Sequence, residues 1–268
     1  MNYDPPPGAI RLILHMEGTA TQEEMNANVT ATLARGYVRL NDYLGRYSGT
    51  VSICGSGPSL ESTLHELHDD ILAINGAIGV LLAHDFIPKW AMIWDASPLC
   101  EAFAIPHPDV TYLIGARCHE SVFRRLQGCK VIVWHAGGDH NIMELMKERQ
   151  ITDAIVNGGS AGVTRALYLA FALGYRDLHV FGADSCYSDD GKTHATGASV
   201  VPEKSMSVFL GGKNFRTTPE WCAQVEEIKM IYPNFRALGA PITAHGTGML
   251  PWACHLMSEE SQPLEATQ

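Results

Sequence analysis

The sequence predicts an α/β fold: a mostly parallel, doubly wound sheet with helices on both faces, preceded by a helical N-terminal segment. Three observations carry this. Short apolar, β-branched runs alternate with helical stretches from residue 50 onward. Two glycine-rich turns, "CGSGPSL" and "VNGGSAG", each open such a helix. Two other runs, "AMIWD" and "LHVFGAD", end in a carboxylate, so charge gathers where strands stop.

Residues 1–9, with three consecutive prolines, read as extended or disordered. From Thr21 the pattern turns helical: Met25, Val29, Leu33, Tyr37, Leu40 and Leu44 recur every three or four positions. Thr21 followed by Glu24 forms a capping box, and Gly45 and Gly49 close this region. "TVSIC" (50–54) is a buried strand and "SLESTLHELH" a helix. "AINGAIGVLLAH" splits into a strand ending near Asn75 and a helix through Leu82. Further strands fall at 90–95, 110–116, 130–136 and 177–184. Residues 160–174 form a helix stopped by Gly174. Residues 218–235 form another, ending at Pro233, and a last strand lies near "APITAHG". Residues 185–217 lack period and read as a long functional or mobile loop beyond a strand end. The division is then 1–48 helical, 49–252 catalytic, and 253–268 a disordered tail.

At 268 residues and 46% apolar, the chain has ample material for one large core. Its formal charge of −10 and lack of basic runs argue against nucleic acid as a partner. No run reaches the length of a membrane span, and the start lacks a secretion signal. Seven dispersed cysteines without a CxxC pair read as reduced thiols in a soluble cytoplasmic protein. Homo-oligomerisation stays open. Asn28-Val29-Thr30 matches a glycosylation sequon by chance, and "HELH" (65–68) reads as surface histidines rather than a zinc site.

The chemistry centres on the turns. In Gly55, Ser56, Gly57, Pro58 and Ser59, glycine permits a sharp bend and leaves amides open to an anion, with the following helix adding its positive end. Neither a dinucleotide fingerprint nor a P-loop is present. Gly158, Gly159, Ser160 and Gly162 repeat the arrangement. Tight turns or close packing explain both sets of glycines equally well locally; together they point to a nucleotide cleft. Asp95 and Asp184 sit at strand ends, placed for a ligand, a metal or a helix cap. Lys192 is placed to offset phosphate charge and His194 to shuttle a proton.

The blocks "ICGSGPSLE", "AINGAI", "FIPKWAMIWDASP" and "GSAGVTRALYLAFALGYRDLHVFGADSCYSDDGKTHATG" resemble the MptE-like family. That family is named after an archaeal 6-hydroxymethylpterin diphosphokinase and includes bacterial motility accessory factors, which look like glycosyltransferases acting on flagellin. The resemblance spans roughly residues 30–250. It implies a Rossmann-like sheet whose nucleotide pocket is lined by residues 55–59, Asn75, Asp95, Ser160 and Asp184, with Gly159, Gly162 and Gly182 alongside. A diphosphokinase would move pyrophosphate from ATP to an alcohol, with Mg²⁺ held by Asp95 and Asp184, Lys192 offsetting charge and His194 as base. A more distant similarity is to bacterial CMP-sialic-acid sialyltransferases, which would bind a CMP-sugar and a glycan or small-molecule acceptor. Their catalytic histidine lies in a later lid region, which here reads "SVFLGGKNFRTTPEW" and has none. A nucleotide-binding relative without catalysis is the third reading.

Overall fold

A computed structural model describes residues 20–68, 70–138, 140–195 and 205–260. The readings for residues 1–9, 196–204 and 261–268 lie outside these. In chain order the elements are α1 (Gln22–Ala34), β1 (Val38–Arg39), β2 (Thr50–Cys54), α2 (Leu60–Thr63), β3 (Ile71–Ile74), α3 (Ala77–Ala83), β4 (Trp90–Ile93), β5 (Thr111–Gly115), α4 (Glu120–Arg125), β6 (Lys130–Ala136), α5 (His140–Glu148), β7 (Ile155–Val156), α6 (Gly162–Leu173), β8 (Asp177–Phe181), β9 (Met206–Leu210), β10 (Lys213–Thr217), α7 (Pro219–Ala237), β11 (Ile242–Ala244) and α8 (Met249–Glu260).

The main sheet is parallel, in the order β1-β6-β5-β4-β3-β2-β8-β11, with β7 also on β6. Successive strand residues alternate between two buried layers, as a parallel sheet covered on both faces requires. Val51, Ile53, Leu72, Ile74, Trp90 and Met92 face α6, α7 and α8. Cys54, Ile71, Ala73, Ala91 and Ile93 face α2, α3 and α4. After β6 the chain returns through α6 to lay β8 beside β2. Strand order therefore reverses at the β2–β8 pair, the switch point where sheets of this kind bind ligands.

Several expectations need correction. The Thr21–Glu24 capping box forms, but α1 stops at Ala34. Val38 and Arg39 instead pair with β6, so the N-terminal segment adds a strand to the sheet rather than standing apart. Within 185–217, Gly211 and Gly212 (φ 50° and 83°) turn a β9–β10 hairpin. A Gly-Gly pair between alternating runs is a recognised hairpin signal. α7 passes through Pro233 to Ala237, because Tyr232 and Phe235 on either side are buried and Phe235 packs on Tyr168 at 5.0 Å. The tail expected from residue 253 is helical as far as Glu260, since Leu250, Ala253 and Cys254 present one face to the core. All seven cysteines are free thiols. No helix among the described residues is long and apolar enough to cross a membrane.

At the β8–β11 edge, the His179 ring meets His245 through nitrogens 2.9 Å apart and packs against His68 at 4.3 Å. His65 and His68 are exposed, as expected of surface histidines. His245 in turn contacts Glu66 at 2.7 Å. Burial, opposed by Asp177 and reinforced by the neighbouring imidazoles, holds His179 below its usual pKa of 6.5. The unfolded chain therefore takes up more protons as pH falls through that value, and acidification costs stability. Urea midpoints should fall between pH 7 and pH 5, and the fall should be shallower in His179→Asn; an unchanged slope in the variant contradicts this.

Candidate functional site

Two turns meet at the switch point. The Gly55 N–H donates to the Phe181 carbonyl (2.8 Å), the Gly57 N–H to the Gly182 carbonyl (2.7 Å), and the Ser59 N–H to Asp184 Oδ2 (3.0 Å). A Cβ on Gly55 would lie 2.5 Å from the Gly182 oxygen; one on Gly57 would lie 2.4 Å from Asp184 Oδ2. The glycines are bare so that one turn can lie against the other. Their amides are spent inside the protein, which corrects the expectation that the 55–59 amides stand open to a phosphate; Ser56 is the residue whose N–H makes none of these bonds. The helix that follows has four residues and offers little dipole.

A cleft of about 270 Å³ opens beside this junction. Gly55, Ser56, Gly57, Pro58, Asn75, Gly162, Gly182, Asp184 and His194 all border it, so most of the residues singled out in the sequence come together. Asn75 stands at the end of β3 in a left-handed conformation (φ 47°), and its buried Oδ1 has no hydrogen-bond partner. Ser185 shares that backbone region (φ 52°). A non-glycine residue is held there only when its surroundings demand it, and such residues cluster at ligand sites. Burial raises the pKa of the Asp184 carboxyl, with the Ser59 amide opposing. His194 is exposed at the cleft, its Nδ1 2.9 Å from Thr193 Oγ1. Among the described residues, no lysine or arginine borders this cleft.

Other expected residues lie elsewhere. Ser59 borders a neighbouring cleft under the β9–β10 hairpin. Gly159 and Ser160 border a third, over β4–β6. There Ser160 N–H and Oγ both donate to the Glu227 carboxylate (2.8 Å each), and Thr164 Oγ1 adds 2.7 Å, so a carboxylate of the protein itself caps the start of α6. Lys192 is exposed and paired with Asp190 at 2.7 Å. Asp95 Oδ1 accepts the Ser97 N–H (2.8 Å), a local turn contact.

Asp95 and Asp184 follow β4 and β8, three strand spacings apart, roughly 14 Å. Mg²⁺ holds its ligands at about 2.1 Å, so the two carboxylates do not fit one shared ion. No group of three or more metal-binding side chains gathers among the described residues. Sequence reading missed Trp221 and Gln224, which border the cleft from α7; their three-residue spacing on a capped helix was the available signal. Nothing in the sequence marked Ser185.

A family model described as 6-hydroxymethylpterin diphosphokinase MptE-like matches residues 26–190, more than half of the chain. The chain belongs to the MptE-like family. Among solved structures, this MptE-like chain is similar to the MAf glycosyltransferase from Magnetospirillum magneticum AMB-1, with a TM-score of 0.62 and 16% identity. The match covers 84% of this chain but 37% of that enzyme, so the likeness is one of fold to part of a longer protein. No curated protein matches the chain. Both the family description and the neighbour's name are those of transferases.

The close approach of the two turns has a measurable consequence. Gly57→Ala should lose about 2 kcal/mol of unfolding free energy by overpacking. Gly36→Ala, with nothing within 4 Å of the new Cβ, should stay within about 0.5 kcal/mol of wild type. Equal effects in urea titrations would contradict the packing account.

Proposed function

We propose that the chain is a nucleotide-dependent transferase that binds its nucleotide in the cleft at the β2–β8 switch point. The observation that carries the reading is Asn75: a buried amide oxygen with no partner, on strained backbone, at the wall of that cleft. A ligand N–H or O–H, from a base amine or a ribose hydroxyl, supplies the missing donor.

Charge favours glycosyl transfer from a nucleotide sugar, with CMP-sugars as the first donors to try. A nucleoside triphosphate brings three phosphates to a cleft that no lysine or arginine borders among the described residues, beside a buried aspartate, and without the carboxylate pair to hold Mg²⁺. A donor with a single phosphate suits these surroundings better. In this reaction the acceptor oxygen forms a bond to the anomeric carbon, the bond from that carbon to phosphate oxygen breaks, and the nucleotide leaves with the electron pair. The acceptor proton passes to a base, for which His194 is the exposed imidazole at the cleft. Pyrophosphate transfer from ATP is the second reading, favoured by the family description alone.

The test is thermal unfolding with CMP, CTP, ATP and a CMP-sugar, each with and without Mg²⁺. A ligand at about 100 times its Kd stabilises by about 2.7 kcal/mol. A cytidine preference independent of Mg²⁺ is expected; a Mg²⁺-dependent ATP preference would favour the second reading. Asn75→Ala should weaken nucleotide binding by about tenfold, the worth of a hydrogen bond to a buried amide. His194→Ala should keep the thermal shift and lose CMP release from the CMP-sugar.

A further inference from the structure

The cleft over β4–β6 takes no part in the nucleotide reading, yet it is the larger of the two, about 750 Å³ against about 270 Å³. Its character is different. Trp94 carries two guanidiniums: Arg117 Cζ lies 4.8 Å from the indole ring centre and Arg165 Cζ 4.9 Å. Arg165 is 5% exposed and spends one Nη on the Val156 carbonyl (3.1 Å). The Nε–H groups of both arginines are buried and without a hydrogen-bond partner among the described residues. Glu227, the one carboxylate bordering the same cleft among the described residues, has both its oxygens engaged by Ser160 and Thr164. Behind them His135, 1% exposed, holds Asp153 at 3.1 Å through Nε2 and leaves Nδ1 unpartnered.

Glu227 offsets part of the Arg165 charge, but its oxygens are engaged by Ser160 and Thr164, and two neighbouring guanidiniums with buried, unused donors still favour an added anion. Arginine is suited to the task, because its fork of N–H groups matches carboxylate and phosphate oxygens. Stacking on Trp94 holds both forks in place before a ligand arrives. The cleft is also roofed: α1 brings buried Val29 over it and is fastened there by Asn28 Nδ2, which donates to the carbonyls of Ala96 (3.3 Å) and Arg117 (3.1 Å). The two clefts flank the same stretch of chain at the start of α6. Gly158 to Ser160 border one, and Gly162 and Val163 the other.

We propose that Arg117 and Arg165 bind the carboxylate or phosphate group of a small acidic acceptor substrate, which occupies this cleft alongside the nucleotide. The anion site stands on its own geometry; its assignment to the acceptor rests on the transferase reading. An acceptor anchored there by its charge points its uncharged end toward the start of α6, where the two clefts approach each other.

The test uses the full chain, titrated calorimetrically with inorganic pyrophosphate and with malonate, each with and without saturating CMP. The two probes separate a phosphate-bearing from a carboxylate-bearing ligand. At least one should bind, and its affinity should be unaffected by CMP. Arg117→Gln should weaken that probe by about tenfold or more while leaving CMP binding unchanged. Arg165 is buried and its loss risks the fold, so Arg117, which is half-buried, is the principal variant. Arg117→Lys keeps the charge without the fork and should fall between the two. Binding of neither anion, equal binding by Arg117→Gln, or displacement of the anion by CMP would overturn the proposal. Anion binding by a protein that binds none of CMP, CTP, ATP or CMP-sugar would overturn the acceptor assignment together with the transferase reading, and leave an anion site of other use.

Discussion

The structure turns on one close approach: the backbone of Gly55 and Gly57 lies against that of Gly182, with each turn's amides or carbonyls answering the other's. Because the contact is backbone on backbone, no side chain can be inserted without moving a strand end. It joins the two halves of the sheet where strand order reverses. It also sets Asp184 over Ser59 and leaves a gap bounded by β3 and the start of α6. The candidate cleft is therefore a by-product of how β2 and β8 are stapled together, and its glycines shape it by letting the two turns meet.

Charge is divided along the same edge. Among the described residues, the cleft over β3, β2 and β8 has a buried carboxylate and neither lysine nor arginine, while the cleft over β4–β6 has two arginines on one tryptophan. A chain with a formal charge of −10 repels anions as a whole. Local desolvated donors are what can attract them, and the Nε–H groups of Arg117 and Arg165 are two such donors on one side of α6's first turn. The Glu227 carboxylate caps that turn, so the helix end does not compete for the same ligand.

Much of the fold was legible because parallel strands buried on both faces are written as continuous apolar runs; Thr50–Cys54 and Lys130–Ala136 match the reading to the residue. Elements whose stability comes from distant partners were not. β1 exists because β6 has a free edge, and α8 because Leu250, Ala253 and Cys254 find a core to fill. The candidate cleft was legible in its glycines and strand-end residues, since Gly55, Asn75, Gly182 and Asp184 all border it. The role of those glycines was not, because a glycine that admits a ligand and one that admits another loop look alike in one dimension. The arginine pair escaped notice for a similar reason: Arg117 and Arg165 stand far apart in sequence and meet only across Trp94.

The central claim is that the gap beside the stapled turns holds a nucleotide. Amide chemical-shift mapping of the isotope-labelled protein on addition of CMP tests it most directly. The account predicts perturbations at Ser56, Asn75, Gly162, Ser185 and His194, with residues 115–117 and 135–138 unmoved. Perturbations confined to those latter segments, or none at all, would contradict it.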